Sequence, residues 1–237
     1  MKCLDLTLPA PTANLACDEA LLDACEERAG AEMLRFWEPQ EYFVVLGYGN
    51  RAAREVNLAA CREENIGVYR RCSGGGAVLQ GPGCLNYSLV LNIASEPALG
   101  AIGSANRHIM ERHRQALAGV LGRSVRVEGV TDLTLAGQKF SGNAQRRKRR
   151  ALLFHGAFLL GLDVSMMRKF LPMPSRQPDY RQDRPHGQFL TNLDVPAAVV
   201  KGALREAWSA GECCERPPAI SPGLAQKYAG EEWNGKF

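Results

Sequence analysis

Two stretches of the chain concentrate side chains able to act on a small anionic or acyl substrate. The first is Tyr69-Arg70-Arg71-Cys72-Ser73-Gly74-Gly75-Gly76-Ala77-Val78. A short strand delivers two arginines and a hydroxyl into three consecutive glycines. Such a cluster costs chain entropy, so a fold that keeps it usually needs left-handed backbone or close backbone approach there. The loop can aim several N–H groups at one carboxylate or phosphate, and Arg70 or Arg71 can add a bidentate, charge-assisted clamp. No Gly-Lys-Ser/Thr follows, so this is not a Walker loop. A flexible hairpin with a solvated arginine pair is the plainer reading and stays open at this point.

The second stretch is Asp132-Leu133-Thr134-Leu135-Ala136-Gly137-Gln138-Lys139-Phe140-Ser141-Gly142-Asn143-Ala144. Lys139 follows a glycine turn and precedes the small pair Ser141-Gly142, which lets a ligand approach the backbone. A lysine here is a compact positive charge suited to an acyl carbonyl and a phosphate oxygen. A surface hairpin lysine reads equally well from the residues alone.

Cys84 to Leu91 alternates as a strand, with Leu85, Tyr87, Leu89 and Leu91 on one face and Asn86 and Ser88 on the other. That is a strand with its back in a core and its front on a substrate. His155 lies in an apolar strand and reads as a hydrogen-bonded core residue. His186, in Arg184-Pro185-His186-Gly187, reads as a contact to an acceptor or nucleotide. Arg146-Arg147-Lys148-Arg149-Arg150 is a real electrostatic feature, either a solvated hairpin tip or a docking patch for an acidic partner. No interleaved aromatics or RNA-module motif accompany it, so nucleic acid is not expected.

Gly47-Tyr48-Gly49-Asn50-Arg51-Ala52 matches a relaxed dinucleotide fingerprint after the strand-like Phe43–Leu46. Arg51, Arg54 and Asn57 occupy what would be the first helical turn, and nothing past residue 80 continues a doubly wound series. A glycine-permitted turn is the stronger reading.

These residues need a scaffold. Helices are predicted over Thr12–Arg28, Leu58–Glu64, Ser104–Leu121, Ser165–Leu171 and Pro196–Trp208. The first carries Asp18, Glu19, Asp23, Glu26 and Glu27 outside and stops at Gly30. The third turns Ile109, Ala116, Leu117, Val120 and Leu121 inward. Strands are predicted at Met33–Trp37, Tyr42–Leu46, Leu133–Leu135, Lys139–Gln145 and Ala151–Leu160. The long loop Pro172–Pro185 reads as functional or mobile. The mixture implies an α+β fold around a mixed, largely antiparallel sheet flanked by helices. One catalytic domain over residues 1–210 and a loose tail over 211–237 are expected.

The composition, 46% hydrophobic and 23% charged, excludes wholesale disorder, and a net charge of +4 is too mild to imply nucleic acid. No window approaches a membrane span, and the N-terminus lacks the apolar core of a signal peptide, so a cytoplasmic location is expected. The cysteines at 3, 17, 25, 61, 72, 84, 213 and 214 form no CxxC pair and no zinc spacing, which fits buried thiols in a reducing compartment.

Arg70–Val78 together with Lys139-Phe140-Ser141-Gly142-Asn143-Ala144 closely resembles the lipoate–protein ligase A family of the biotin/lipoate ligase superfamily. The likeness extends to Leu34-Arg35-Phe36-Trp37-Glu38-Pro39, Leu46–Asn50 and Phe154-His155-Gly156, and covers most of residues 1–200. It implies the catalytic-domain fold of that superfamily and a two-step reaction. Lipoate and ATP with Mg2+ form lipoyl-adenylate, which a lysine of a lipoyl carrier domain or a glycine cleavage H-like protein then attacks.

By the same resemblance Gly74, Gly75, Gly76 and Arg70 hold the carboxyl and phosphate, with Ser73 and Ala77 beside them. Lys139 is the catalytic cation. Asp132 lies near nucleotide and metal. Trp37, Asn86 and Ser88 line the acyl tunnel, and Ser141, Gly142, Ala144, His155 and Gly156 complete the binding set. Gln80 stands where many members have histidine. The resemblance also implies that the small C-terminal domain assisting adenylation is absent, so either a separate accessory subunit is expected for activation or the reaction is not activation. The rival of the same fold is an octanoyltransferase working through a cysteine thioester, for which Cys72 and Cys84 are the candidate thiols. Biotin ligase fits less well, because its Gly-Arg-Gly-Arg pattern is missing.

Overall fold

The computed structural model describes residues 1–28 and 31–237; the helix stop expected at Gly30 lies outside the described residues. The chain begins with β1 (Lys2–Asp5), α1 (Pro11–Glu27), β2 (Met33–Trp37), β3 (Phe43–Leu46), α2 (Ala52–Glu55), α3 (Leu58–Glu63), β4 (Gly67–Arg70), β5 (Val78–Gln80) and β6 (Cys84–Asn92). It continues through α4 (Ile102–Leu121), β7 (Val125–Glu128), β8 (Asp132–Leu135), β9 (Gln138–Arg147), β10 (Ala151–Leu159), α5 (Ser165–Phe170), α6 (His186–Phe189) and α7 (Ala197–Ala207). The last elements are β11 (Glu212–Cys213), α8 (Pro222–Ala229) and α9 (Glu231–Asn234).

An eight-stranded sheet runs β11-β1-β2-β6-β10-β9-β8-β7, and a three-stranded sheet runs β4-β3-β5. The first three strands of the large sheet are parallel to one another, and every later pairing in it is antiparallel. The expected α+β architecture is therefore present. Among the described residues no helix is long and apolar enough to cross a membrane.

The alternation of β6 does what the sequence predicts. Leu85, Tyr87, Leu89 and Leu91 enter the core beneath α4 and α7, with Phe154 and Phe158 of the neighbouring strand. Each such buried side chain contributes about 1.5–3 kcal/mol. The opposite face of the large sheet takes Val90 and Leu153 against Leu21, Leu22 and Cys25 of α1. Val120, expected inward on α4, is exposed: it sits nearly one turn past Leu117, close to the left-handed cap at Gly122, where the buried face ends.

The expected loose tail is instead built into the fold. β11 pairs parallel with β1, and Cys214 N–H closes on the Cys3 carbonyl. Ser221 caps α8 by accepting from the Leu224 N–H, with Pro222 at the first helical position. That helix docks on α1, where Lys227 and the Tyr228 hydroxyl both reach the Glu19 carboxylate at 2.6 Å.

The fingerprint-like glycines make a turn rather than a nucleotide-binding helix start. The helix that follows, α2, begins only at Ala52 and has four residues.

Candidate active site

Register explains why residues scattered over the sequence share one face. Arg35, Ser88, His155 and Ala144 form one row across β2, β6, β10 and β9. Two residues along, Trp37, Asn86, Ala157, Gly142 and Asp132 form the next row, which reaches β8. Alternate residues on a strand share a face, so both rows face the α1 side of the sheet.

Lys139 is aimed by an irregularity. The β8–β9 hairpin turns at Ala136 and Gly137, both left-handed at φ +49° and +77°, as a two-residue primed turn requires. The pairing then slips between Leu133 and Thr134, leaving an extra residue on β9 beside Lys139. Such a bulge re-aims a side chain. The ammonium folds over Gly142, where a Cβ would lie 2.7 Å from Nζ. It pairs with Asp132 Oδ1 at 2.8 Å, while Asp132 Oδ2 accepts from the Tyr180 hydroxyl at 2.7 Å. Burial, aided by the Asp132 charge, pushes the Tyr180 phenol up, so it remains a neutral donor.

Beside Lys139 lies a cavity of about 120 Å³ between β5, β9 and the loop after α5. Leu79, Phe140, Leu159, Met167, Leu171 and Phe189 supply apolar wall, and Glu55, Gln80, Ser141, Arg181 and His186 add polar side chains. An apolar pocket with a few convergent polar groups suits a small organic substrate. Burial, reinforced by Arg181, pulls the His186 imidazole down to about 4, so it is neutral at pH 7. The expected functional loop does border the site: Pro172, Pro174 and Arg181 line the cavity, and Arg184 donates to the Gly137 carbonyl.

The glycine loop is braced from within. Arg71 donates to the carbonyls of Gly74 (2.6 Å) and Gly76 (2.9 Å) and, through Nε, to Ser73 Oγ. With those carbonyls turned to Arg71, the N–H groups of Gly74, Gly75 and Gly76 find no protein acceptor among the described residues. Gly75 has φ +89° and lies 3.8 Å, through a built Cβ, from the Ala144 methyl. The anion nest expected from the sequence is thus available as backbone.

Arg70 is not part of it. Its side chain is fully buried and donates to the carbonyls of Gly47, Tyr48, Asn50, Trp233 and Asn234. A buried guanidinium engaged with five carbonyls ties the 47–50 turn to the C-terminal residues 233–234 and is held away from the glycine loop. Gly156 is likewise displaced from the expected set: it faces the core, where a Cβ would overlap Asn143 Oδ1. Ser141 borders the cavity, but its hydroxyl turns to Asn143 at 3.4 Å. Trp37 stacks on Phe43 in a separate cluster with Tyr228 and is not in the cavity wall. Asn86 donates to Gln80 Oε1, so these two set each other's orientation.

His155 is buried as expected, but in a polar chain rather than a greasy one. Its Nε2 lies 2.5 Å from Ser73 Oγ and its Nδ1 3.6 Å from Asp18 Oδ2. Asp18 pairs with fully buried Arg35 at 2.6 Å, and Arg35 also donates to Asn14 Oδ1. Burial alone would raise the Asp18 carboxyl; Arg35, with His155 and Ser88, brings it below its ordinary value. Asp18 was expected outside on α1. Its place three residues from Leu15 and four from Leu22 puts it on the apolar stripe instead, which was the available signal. Nothing local in the sequence marked Glu55, Tyr180 or Arg181.

Neither candidate thiol is available. Cys72 and Cys84 are buried and outside the cavity wall, and burial pushes both up to about 12. Asp132 does not make a metal site by itself: both its oxygens are engaged, and among the described residues no group of three potential ligands occurs. The residues present do not fit a protein-held magnesium ion.

The basic run is largely spoken for. Arg147 donates to the carbonyls of Leu99 and Gly100, Lys148 pairs with Asp23 and Arg150 with Glu26, and Arg146 lies over the Tyr48 ring. Arg149 alone has no partner among the described residues.

A model of the lipoyl protein ligase A/B catalytic domain matches residues 10–198. The chain belongs to this family. Probable lipoate-protein ligase A of Mycoplasma pneumoniae is 29% identical over 85% of the chain, which spans only 60% of that protein's length. Octanoyltransferase LipM of Carboxydothermus hydrogenoformans is 31% identical, with 94% of each chain covered. A Thermoplasma acidophilum chain, described in a study of a bi-partite lipoate protein ligase and its E2 lipoyl domain, superposes with TM-score 0.81 at 28% identity, over 100% of this chain and 96% of that one. A lipoate-protein ligase A bound with ATP gives TM-score 0.78 at 27% identity over 100% of both. Its relatives include both lipoate-protein ligases and octanoyltransferases, and its fold is that of the lipoate ligases.

Proposed function

We propose that this enzyme activates lipoate with ATP and transfers the lipoyl group to a lysine of a lipoyl carrier domain or a glycine cleavage H-like protein. The observation that carries the reading is the placement of Lys139 over Gly142, on a cavity with no cysteine among its described lining residues. The ammonium would hold the acyl carbonyl and the α-phosphate, exchanging its Asp132 partner for substrate oxygen. The free amides of Gly74–Gly76 would receive the carboxyl or phosphate charge. Adenylate is a good leaving group, so positioning and fixed charge suffice and no strong base is required. ATP enters as a substrate carrying its own magnesium.

The likeness to a chain from a bi-partite ligase supports a separate accessory subunit for the activation step. The test is the intact mass of an apo lipoyl domain after incubation with the enzyme, lipoate and ATP-magnesium. A gain of one lipoyl group, lost in Lys139→Ala, is expected. A carrier that stays unmodified even when an accessory subunit is supplied overturns the reading.

A second reading is favoured by one observation: the chain is 31% identical to an octanoyltransferase over 94% of both chains. Octanoyl transfer from an acyl carrier thioester requires no ATP. Modification of the carrier domain from octanoyl-carrier protein alone, and not from lipoate with ATP, would select it.

A further inference from the structure

Adenylate chemistry leaves one constellation without employment. Ser73, His155 and Asp18 follow one another, with Ser73 Oγ 2.5 Å from His155 Nε2 and His155 Nδ1 3.6 Å from the Asp18 carboxylate. All three are buried, and they come from the glycine loop, β10 and α1. We propose that Ser73 is a nucleophile that accepts an acyl group from a thioester or activated ester, giving this enzyme an ATP-independent acyl-transfer activity. The proposal rests on the reading that the site handles acyl substrates, and it supplies the nucleophile which the cysteines do not.

Four features meet what such a serine needs. Arg35 keeps Asp18 charged, so the carboxylate orients the imidazole with Nδ1–H toward it and leaves Nε2 free to take a proton. Arg71 Nε, 3.1 Å from Ser73 Oγ, favours the developing alkoxide. The adjoining amides of Gly74 to Gly76 have no protein acceptor among the described residues and can receive an oxyanion. Finally, a Cβ built on Gly74 or Gly76 meets nothing within 4 Å, so open space adjoins the loop that covers Ser73.

The step balances without a further reagent. Ser73 Oγ bonds to the acyl carbon as its proton passes to His155 Nε2. The bond from the acyl carbon to the leaving sulfur or oxygen breaks, and the leaving group takes that proton. An acceptor amine then attacks the acyl-serine ester, the Oγ–C bond breaks, and the amine's proton returns to Oγ through His155. Water in place of the amine would complete hydrolysis.

The full chain incubated with p-nitrophenyl octanoate, without ATP, tests this directly. The expected result is a burst of nitrophenolate and the mass of one octanoyl group on the peptide that contains Ser73. Ser73→Ala should lose the adduct, Ser73→Cys should carry it as a hydroxylamine-labile thioester, and His155→Gln should slow acylation about 10²–10⁴-fold. A structural strut leaves Ser73 unacylated: no adduct, or one confined to a lysine or a cysteine of the wild-type chain, overturns the proposal, and this mapping does not depend on any variant folding. The ATP-dependent lipoylation assay on the same preparation separates the two readings. Carrier modification with no acyl-serine sinks the serine and keeps the ligase, and acyl-serine without ATP-dependent modification does the reverse.

Discussion

A Cβ placed on Gly47 would lie 2.0 Å from the carbonyl oxygen of Gly75. The two glycine loops therefore touch through backbone, and the 47–50 turn serves as the floor beneath the anion nest. Gly47→Ala should displace the Gly75 carbonyl or unseat the turn. Overpacking of this kind costs about 1–3 kcal/mol. The expected outcome is a lower melting temperature together with reduced acyl transfer. Gly49→Ala, where a Cβ meets nothing within 4 Å, is the control and should stay within about 0.5 kcal/mol of wild type. Equal melting temperatures for the two variants would refute the contact.

Lys139 and Gly142 form a pair in which activity and stability separate. Lys139→Ala should reduce acyl transfer by about 10²–10³-fold, as loss of a transition-state donor does. Its melting temperature should barely change, because the Lys139–Asp132 pair is partly solvated and such pairs contribute about 1 kcal/mol or less. Gly142→Ala pushes only on the flexible end of Lys139. It should keep the fold and lose part of the activity, and a Gly142→Ala enzyme with wild-type turnover would show that the lysine position is unimportant.

How much of this was legible follows from how far apart the interacting residues lie. The β6 face pattern, the glycine nest and Lys139 after its turn depend on neighbours within a few positions, so the sequence carries them. Arg70 could not be read that way: two of its acceptors are the carbonyls of Trp233 and Asn234, more than 160 positions away. Without those partners an arginine before a glycine loop looks like an anion clamp. Asp18 stands among acidic neighbours on α1; its spacing from Leu15 and Leu22 marks the buried stripe, but its partner Arg35, 17 positions away, is seen only in the fold. The C-terminal helix was announced locally, by Ser221-Pro222 at its cap, but a proline-rich surrounding masked the signal.

Acid should destabilise the fold well above the range of ordinary carboxylates. His113 accepts from Trp208 Nε1 at 2.9 Å in the core, and burial, followed by Arg112, pulls its imidazole from 6.5 down to about 3. His186 is held at about 4. Between pH 6.5 and those values the unfolded chain binds protons that the folded chain refuses, so stability falls as pH falls. Asp18, held below its ordinary 3.8, loses its contribution only under about pH 4 and does not confuse this window. Melting temperatures from pH 7.5 to 4.5 should decline, and His113→Gln, which keeps an acceptor for Trp208, should flatten the decline. An unchanged slope in that variant would mean His113 is not the titrating group.

The basic hairpin allows a sharper test of acceptor docking than wholesale charge reversal. Lys148 and Arg150 already face Asp23 and Glu26 on α1, so reversing either sets like charges together and disturbs the scaffold. Arg149, at the hairpin tip, is exposed and without a partner among the described residues, so Arg149→Glu changes the outward field while leaving internal contacts intact. If the tip steers an acidic carrier domain, this variant should slow carrier modification, with the deficit shrinking as salt shortens the Debye length from about 10 Å at 0.1 M to about 3 Å at 1 M. Adenylate formation, followed by pyrophosphate release in the absence of carrier, should not change. A matching loss in both half-reactions would place the defect at the active site and remove the hairpin from acceptor recognition.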